Sequence, residues 1–327
     1  MANEQRTGIA VAGTILVDKI NQIRAYPGEG ELTQIQSIQN AVGGCVPNVA
    51  LDLKTISPHL PVSAMGKIGK DAEGDYIKQV LQGGGVSTDA LAVTEHEKTS
   101  FTEVMSVPGG QRTFFVYPGA GADFGLADMD FDKIRAKILH LGYFLLLKKV
   151  DEGDGLKILQ KAKEEGLETS IDLVSENSDR YSLVLPCLPY TDYLIVNELE
   201  AGKLAGIDPK PENLKAIAYK LKKLGVRKKV IIHQPESSVC LSEECYSTLG
   251  SYILPEGFIQ GTTGAGDAFC AGALIGIYHG WSDLQIMEFA SACAVMALRS
   301  PDATGGMQEE SQIKAYCKQF ARREVTG

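Results

Sequence analysis

The stretch Gly261-Thr262-Thr263-Gly264-Ala265-Gly266-Asp267 runs without a break into the apolar, small-residue segment Ala268 to Tyr278. Glycines let a backbone turn tightly and approach a ligand, and the free N–H groups of a helix N-terminus attract anions by hydrogen bonding and through the helix dipole. The stretch therefore reads as the phosphate-binding start of a helix. Asp267, inside the same positive helix end, is then placed to take a proton from a hydroxyl that attacks the phosphate. Spacing alone also admits an ordinary loop whose Asp caps a helix.

The rest of the chain supplies a frame for such a helix. Ile9-Ala10-Val11-Ala12-Gly13 reads as a buried strand that stops at a turn, and Val62 to Met65, Gly142 to Leu147, Thr169 to Leu173, Asp192 to Val196 and Val230 to Ile232 read as further strands. Between them fall helices. One carries Pro47 in its first turn and stops at Ser57-Pro58; the next stops at Gly83-Gly84-Gly85; two more span Gly155 to Glu165 and Glu212 to Leu224. Such alternation predicts a mostly parallel sheet covered by helices on both faces. Two pieces break the rhythm. Residues 14–40 alternate polar and apolar side chains, and within residues 99–118 two extended runs flank Pro108-Gly109-Gly110-Gln111 as a β-hairpin. Near the end, a capping box at Ser282 and Gln285 opens a helix carrying Ile286 to Met296, and a last amphipathic helix holds Ile313, Tyr316 and Phe320. With no repeat and no long linker, residues 1–327 read as a single α/β domain with lid segments 14–40 and 99–118 inserted.

Composition narrows the partners. The net charge is −9 with acids and bases interspersed, which argues against nucleic acid and anionic membrane surfaces. Seven cysteines form no CxxC pair, the pattern of cytosolic free thiols. The polar start lacks a signal-peptide core and no apolar run nears the ~20 residues of a membrane span, so a cytoplasmic protein is expected. The histidines show no HxxxH or HExxH spacing and no GxxxxGK[ST] occurs, which removes the usual zinc site and the ordinary P-loop.

In an open α/β sheet, ligands bind beyond the carboxyl ends of the strands. Asp18, Lys148 and Lys149, Asp172, and Asn197 with Glu200 fall there. Asn197 and Glu200, facing one way on a starting helical turn, suit a hydrated Mg²⁺; they equally suit a plain N-cap with an acid in the first turn. The two lysines read first as solvated loop residues.

Gly43-Gly44-Cys45-Val46-Pro47-Asn48-Val49-Ala50, together with Gly261 to Asp267, resembles the two signatures of the ribokinase-like PfkB family of carbohydrate kinases, in the family's order. Asp18, Gly66 to Gly74, Gly110 to Thr113 and Asn197-Glu198-Leu199-Glu200 extend the resemblance over nearly the whole chain. It implies a ribokinase-like three-layer sandwich with a mostly parallel central sheet and a small β-sheet lid built from the two inserted pieces. It also implies an ATP- and Mg²⁺-dependent phosphotransferase acting on a hydroxyl of a small sugar or sugar-like substrate. Asp267 looks like the general base, and the N–H groups of Gly264, Ala265 and Gly266 look like the anion hole for the transferring phosphoryl. Asp18, Gly43, Gly44 and Asn48 match positions that grip sugar hydroxyls, with Arg112 on the lid hairpin as a further contact. Asn197 and Glu200 match the family's NxxE element, Glu200 serving Mg²⁺ through water.

Two departures stand out. Gly261 replaces an Asp associated with a monovalent-cation site, which puts potassium activation in doubt. His233-Gln234-Pro235 replaces a Thr-x-Gly pattern on the nucleotide side; proline has no N–H, so a backbone contact there is lost or moved, and adenine-nucleotide binding is expected to be weaker, altered or built from elsewhere, for example around Ala290 to Ala297, with His233 as a candidate contact. A nucleoside kinase of the same fold and a catalytically impaired sugar- or nucleotide-binding regulator are the alternatives. A Rossmann dehydrogenase fits worse, because Phe269 stands where the third glycine belongs. The lid's open strand edges predict a homodimer formed through the lid.

Overall fold

The structure is a computed structural model that describes residues 6–108, 112–243 and 245–325. Its first elements are β1 (Ile9–Ala12), β2 (Leu16–Ile23), β3 (Ile35–Gly43), α1 (Cys45–Ile56), β4 (Val62–Met65), β5 (Lys67–Gly69), α2 (Ala72–Gly83), β6 (Ala92–Thr94), β7 (Phe101–Ser106) and β8 (Arg112–Tyr117). There follow β9 (Ile138–Phe144), α3 (Gly155–Glu164), β10 (Glu168–Leu173), β11 (Tyr193–Asn197), α4 (Glu198–Ala205), α5 (Leu214–Lys223), β12 (Lys229–His233), β13 (Ser237–Leu241) and β14 (Tyr246–Gly250). Three helices close the chain: α6 (Ala265–Tyr278), α7 (Asp283–Ala297) and α8 (Glu310–Cys317). No helix among the described residues is long and apolar enough to cross a membrane.

Eight strands form the main sheet in the order β14-β13-β12-β11-β10-β9-β1-β4. β4 through β12 pair in parallel, and β13 and β14 extend the edge antiparallel. Both faces are buried, so each strand feeds two cores in alternation. On β11, Tyr193 and Ile195 belong to the core built with α1, α6 and α7, while Leu194 and Val196 belong to the one built with α3, α4 and α5. These three layers are the expected sandwich. The second sheet, β3-β2-β7-β8, is made from the two segments that broke the alternation, with β2 and β7 parallel at its centre. Gly109, Gly110 and Gln111 of the hairpin turn lie outside the described residues.

A strand boundary and a helical segment depart most from the sequence reading. The strand read as Gly142 to Leu147 runs from Ile138 to Phe144 and stops because Tyr143 and Leu145 take positive φ (59° and 77°). An 11-residue 3-10 segment, Arg180–Tyr190, carries Pro186 and Pro189 and has no apolar periodicity to announce it.

Topology positions the site. From β1 the chain goes to β4 on one side of the sheet, and later to β9 on the other side of β1. The crevice at such a reversal, beyond the carboxyl ends of the strands, is where open α/β sheets bind ligands. α6 points its N-terminus at this crevice. The helix is almost wholly buried, and its small residues permit a close crossing with α7: a Cβ on Gly272 would stand 2.8 Å from the Cα of Ala290.

Candidate active site

Asp267 is the third residue of α6 and only 4% exposed. Its Oδ2 accepts two hydrogen bonds, from Asn48 Nδ2 at 2.8 Å and from the Tyr143 hydroxyl at 2.9 Å. Burial, assisted by the charge of Asp172, pushes its carboxyl up to about 7 against the lowering effect of those two bonds. A carboxylate poised near neutrality, with one oxygen fixed, is what general-base chemistry asks of an acid side chain.

The turn before α6 is set by Gly264, which caps the helix in the left-handed region (φ 77°); a Cβ there would stand 2.5 Å from the Ala303 carbonyl oxygen. The first helical bond runs from Ala268 N to Gly264 O at 2.8 Å, and Ala265 N–H turns back to Thr262 O at 3.3 Å. The N–H of Gly266 is thus a first-turn donor without an intrahelical partner, facing a cavity of about 190 Å³. Asp172, Asn197, Glu200, His233, Gly264 and Asp267 share its walls.

Asn197 is the N-cap of α4 and forms a capping box with Glu200. The functional and structural readings of this pair therefore coexist, since the same two side chains both cap the helix and line the cavity. Glu200 is 4% exposed, and burial pushes it up to about 7 although Asn197 N–H and the Ser175 hydroxyl hold it down. His233 ends β12 and packs on Phe269 at 4.6 Å between ring centres; burial lowers its imidazolium to about 4, so the ring is neutral at pH 7. Gln234 N–H donates to Ser237 O at 2.9 Å, so the proline segment makes a tight turn into β13. Beyond His233 lies a larger groove of about 580 Å³, walled by Pro235, Tyr252, Phe269, Ala294, Val295 and Leu298. α7 thus supplies part of that wall.

On the lid side, β3 hands over at Gly43 to Gly44, the N-cap of α1, and Asn48 lies one turn into that helix. A Cβ on Gly43 would stand 2.4 Å from Asp18 Oδ2, so the glycine leaves room for that carboxylate. Burial raises Asp18 above its usual range, opposed by a hydrogen bond from Thr102. Arg112 stands apart. It pairs with Ser106 at the hairpin tip and is exposed, four residues along the strand from Val116, which pairs with Thr102 beside Asp18; that is roughly 13 Å of extended chain. Lys149 pairs with Asp123 at 2.6 Å on the surface. At Gly261 a Cβ would meet Ser300 O at 2.8 Å and Pro301 Cα at 3.0 Å, so the following loop fills the space an Asp would need.

The sequence reading missed Tyr143. Nothing in a strand-like run signals that φ of 59° will turn one aromatic hydroxyl onto a carboxylate 124 positions away.

The profile of the pfkB family carbohydrate kinases matches residues 6–310. The chain belongs to this family of sugar kinases. A ribokinase of Arabidopsis thaliana is 25% identical over 316 residues, covering 95% of this chain and 81% of the relative. A probable chloroplastic fructokinase of the same plant is 26% identical over 287 residues, covering 82% and 72%. The solved structure of Arabidopsis ribokinase complexed with ribose and ATP superposes with a TM-score of 0.82 at 25% identity, covering 95% of this chain and 99% of that one. The kinase resemblance read from Gly43 to Asn48 and Gly261 to Asp267 is therefore correct at the level of family and fold.

Proposed function

We propose that this kinase transfers the γ-phosphoryl of ATP to a hydroxyl of a small sugar, with Asp267 as the base. The observation that carries the reading is the environment of Asp267: buried, held by Asn48 and Tyr143 on one oxygen, poised near pH 7, and set in the N-terminal turn of α6 beside a cavity. The likeness to a ribokinase complexed with ribose and ATP supports the pairing of substrates.

In this reading the sugar lies between the lid and α1, gripped by Asp18, the Gly43-Gly44 backbone and Asn48. Asp267 accepts the proton as the hydroxyl oxygen attacks. Gly264 and Gly266 direct N–H groups, and α6 its dipole, at the charge that develops on the phosphoryl oxygens. The nucleoside lies in the groove beside His233, with the neutral imidazole and Phe269 as its apolar floor. The donors at Asn197, Ser175 and Glu200 are all oxygen or amide groups, a set that suits a hard cation holding most of its water. Bound there, Mg²⁺ would neutralise phosphate charge, with Glu200 reaching it through water. Lid closure keeps water from competing with the sugar.

The lid also supports a homodimer. Phe114 and Val116 lie on the face of the lid that carries Asp18 and are 59% and 64% exposed, large apolar groups that a second copy would cover. Light scattering tests this: a monomer at all micromolar concentrations refutes it.

The function is tested by coupled ADP release over ketoses, aldoses, sugar acids, phosphosugars and nucleosides, with Asp267→Asn as control. Sugar-dependent turnover lost in the variant is the expected result. Turnover with nucleosides alone, or with no acceptor at all, refutes the sugar assignment.

A further inference from the structure

Among the described residues, only two other than glycine take positive φ, Tyr143 (59°) and Leu145 (77°), and they stand two apart where β9 ends. Side chains rarely occupy this region, and the surrounding structure has to hold them there, often at a functional site. Each of the two backbone N–H groups is caught by a buried carboxylate. Leu145 N–H donates to Asp151 Oδ1 at 2.8 Å, which closes a local turn, and Tyr143 N–H donates to Asp172 Oδ1 at 2.5 Å, which reaches across from β10.

The strand register gives Asp172 its part. β9 and β10 pair in step from Ile138 with Glu168 to Leu141 with Ile171, and the next pair is Phe144 with Leu173. Gly142 and Tyr143 of β9 therefore lie opposite the single residue Asp172, as a β-bulge. A bulge leaves a backbone group outside the ladder and re-aims a side chain. Here the backbone group is the Tyr143 N–H, and the re-aimed side chain carries the hydroxyl that donates to Asp267 Oδ2 at 2.9 Å. We propose, resting on the reading of Asp267 as the base, that Asp172 is a positioning residue for phosphoryl transfer: its carboxylate clamps the bulge, and the clamped bulge holds the Tyr143 hydroxyl on Asp267.

The surroundings fit a clamp. Asp172 is buried near the carboxyl end of β10 and lines the cavity it shares with Asp267. A Cβ on Gly142 would stand 3.0 Å from Asp172 Oδ1 and 2.8 Å from Cys45 Sγ, so glycine at the first bulge position lets the carboxylate close on the backbone. The other carboxylate oxygen, Oδ2, stands 3.5 Å from His140 Nε2, on a ring whose Nδ1 meets the Ser170 hydroxyl at 3.1 Å. Without an acceptor at 172 the Tyr143 N–H would be left unpaired, a state that favours relaxing the turn and withdrawing the hydroxyl from Asp267. A displacement of about 1 Å in the support of a reacting group costs on the order of 100-fold in rate. Asparagine at 172 keeps a carbonyl oxygen for the N–H and loses the charge, whereas alanine loses both. The step from Asp172→Asn to Asp172→Ala therefore isolates the bond from the charge.

The test uses the full-length protein carrying 3-fluorotyrosine at its 12 tyrosines, read by fluorine NMR. The Tyr143 signal is the one lost in Tyr143→Phe. It should hold its position in Asp172→Asn and move or broaden in Asp172→Ala, while the dispersion of the other signals shows that the variant is folded. Asp172→Ser, whose shorter side chain does not reach the N–H, should behave as Asp172→Ala and gives the same reading should that variant not fold. Turnover at neutral pH supplies a second readout. Passing from Asp172→Asn to Asp172→Ala should lower kcat by about tenfold or more with the sugar KM within about threefold, and the same step made on Tyr143→Phe should change kcat by less than about twofold, because the hydroxyl it acts through is gone. A Tyr143 signal unmoved in both Asp172→Ala and Asp172→Ser, or a loss of kcat of equal size with and without the Tyr143 hydroxyl, overturns the assignment. The fluorine readout involves no turnover, so full activity in Asp267→Asn would sink the base reading and leave the clamp to be decided by the Tyr143 signal.

Discussion

Asp267→Asn separates the chemistry of the site from its stability. In the folded chain the carboxyl titrates at about 7 instead of the ordinary 3.8, with burial as the main cause. The unfolded chain releases this proton from about pH 3.8, whereas the folded chain keeps it until about pH 7. The contribution to stability is therefore greatest below pH 3.8 and is lost as pH rises through that window, by about 1.4 kcal/mol per unit and about 4 kcal/mol in all. The amide cannot ionise, so the variant escapes this loss. Its N–H₂ group can be met by Asn48, whose buried Oδ1 has no partner in the native arrangement. The variant should then be more stable than wild type above pH 7, with an advantage that shrinks as pH falls toward 5, while turnover drops by roughly 10²–10⁴. Urea unfolding at pH 5, 6, 7 and 8, beside ADP release with the acceptor found for wild type, measures both. Turnover within tenfold of wild type would refute the base. A stability difference that does not change with pH would refute the raised titration.

Three further substitutions probe the neighbours. Tyr143→Phe removes a donor to a charged oxygen worth about 1.5–3 kcal/mol, so the acid limb of the kcat/KM profile should move up from about pH 7 by roughly 1–2 units; an unmoved limb would show the hydroxyl to be idle. Glu200→Gln should raise the Mg²⁺ concentration needed for half-maximal turnover by about 10–100-fold while leaving the sugar KM near wild type, and an unchanged Mg²⁺ titration contradicts its role. Burial, assisted by the charges of Asp267 and Asp302, raises the titration of Asp52, fully buried on α1 with neither carboxylate oxygen bonded, well above the ordinary 3.8. Stability is therefore lost as pH rises past 3.8, by about 1.4 kcal/mol per unit until the folded group ionises; Asp52→Asn should show a melting-temperature gain that widens as pH rises above about 4, and a constant gap defeats the assignment.

What the sequence revealed and what it hid divide along physical lines. The main sheet was legible because βα alternation leaves period and punctuation in the chain, and both β-lid segments were legible because they broke it. Gly264 was legible because a left-handed cap against Ala303 admits little else. Asn197 and Glu200 were found, but their capping box and their place on the cavity wall use the same spacing, and only the fold shows both at once. Tyr143 was hidden because its place depends on register between parallel strands and on a positive φ angle. Neither leaves a local pattern. Arg112 was chosen for its hairpin, and the register that carries it to the tip is likewise non-local.

Gly261 bears on how this protein can change over generations. The Ser300–Pro301 backbone occupies the volume that any side chain at 261 would enter, so acquiring a carboxylate there by one substitution meets a wall of main chain rather than a movable side chain. The two segments form a lock whose parts must be altered together. No single substitution at 261 is accommodated without movement of that backbone, and laboratory selection for an Asp at 261 should recover it only alongside changes at 300 or 301.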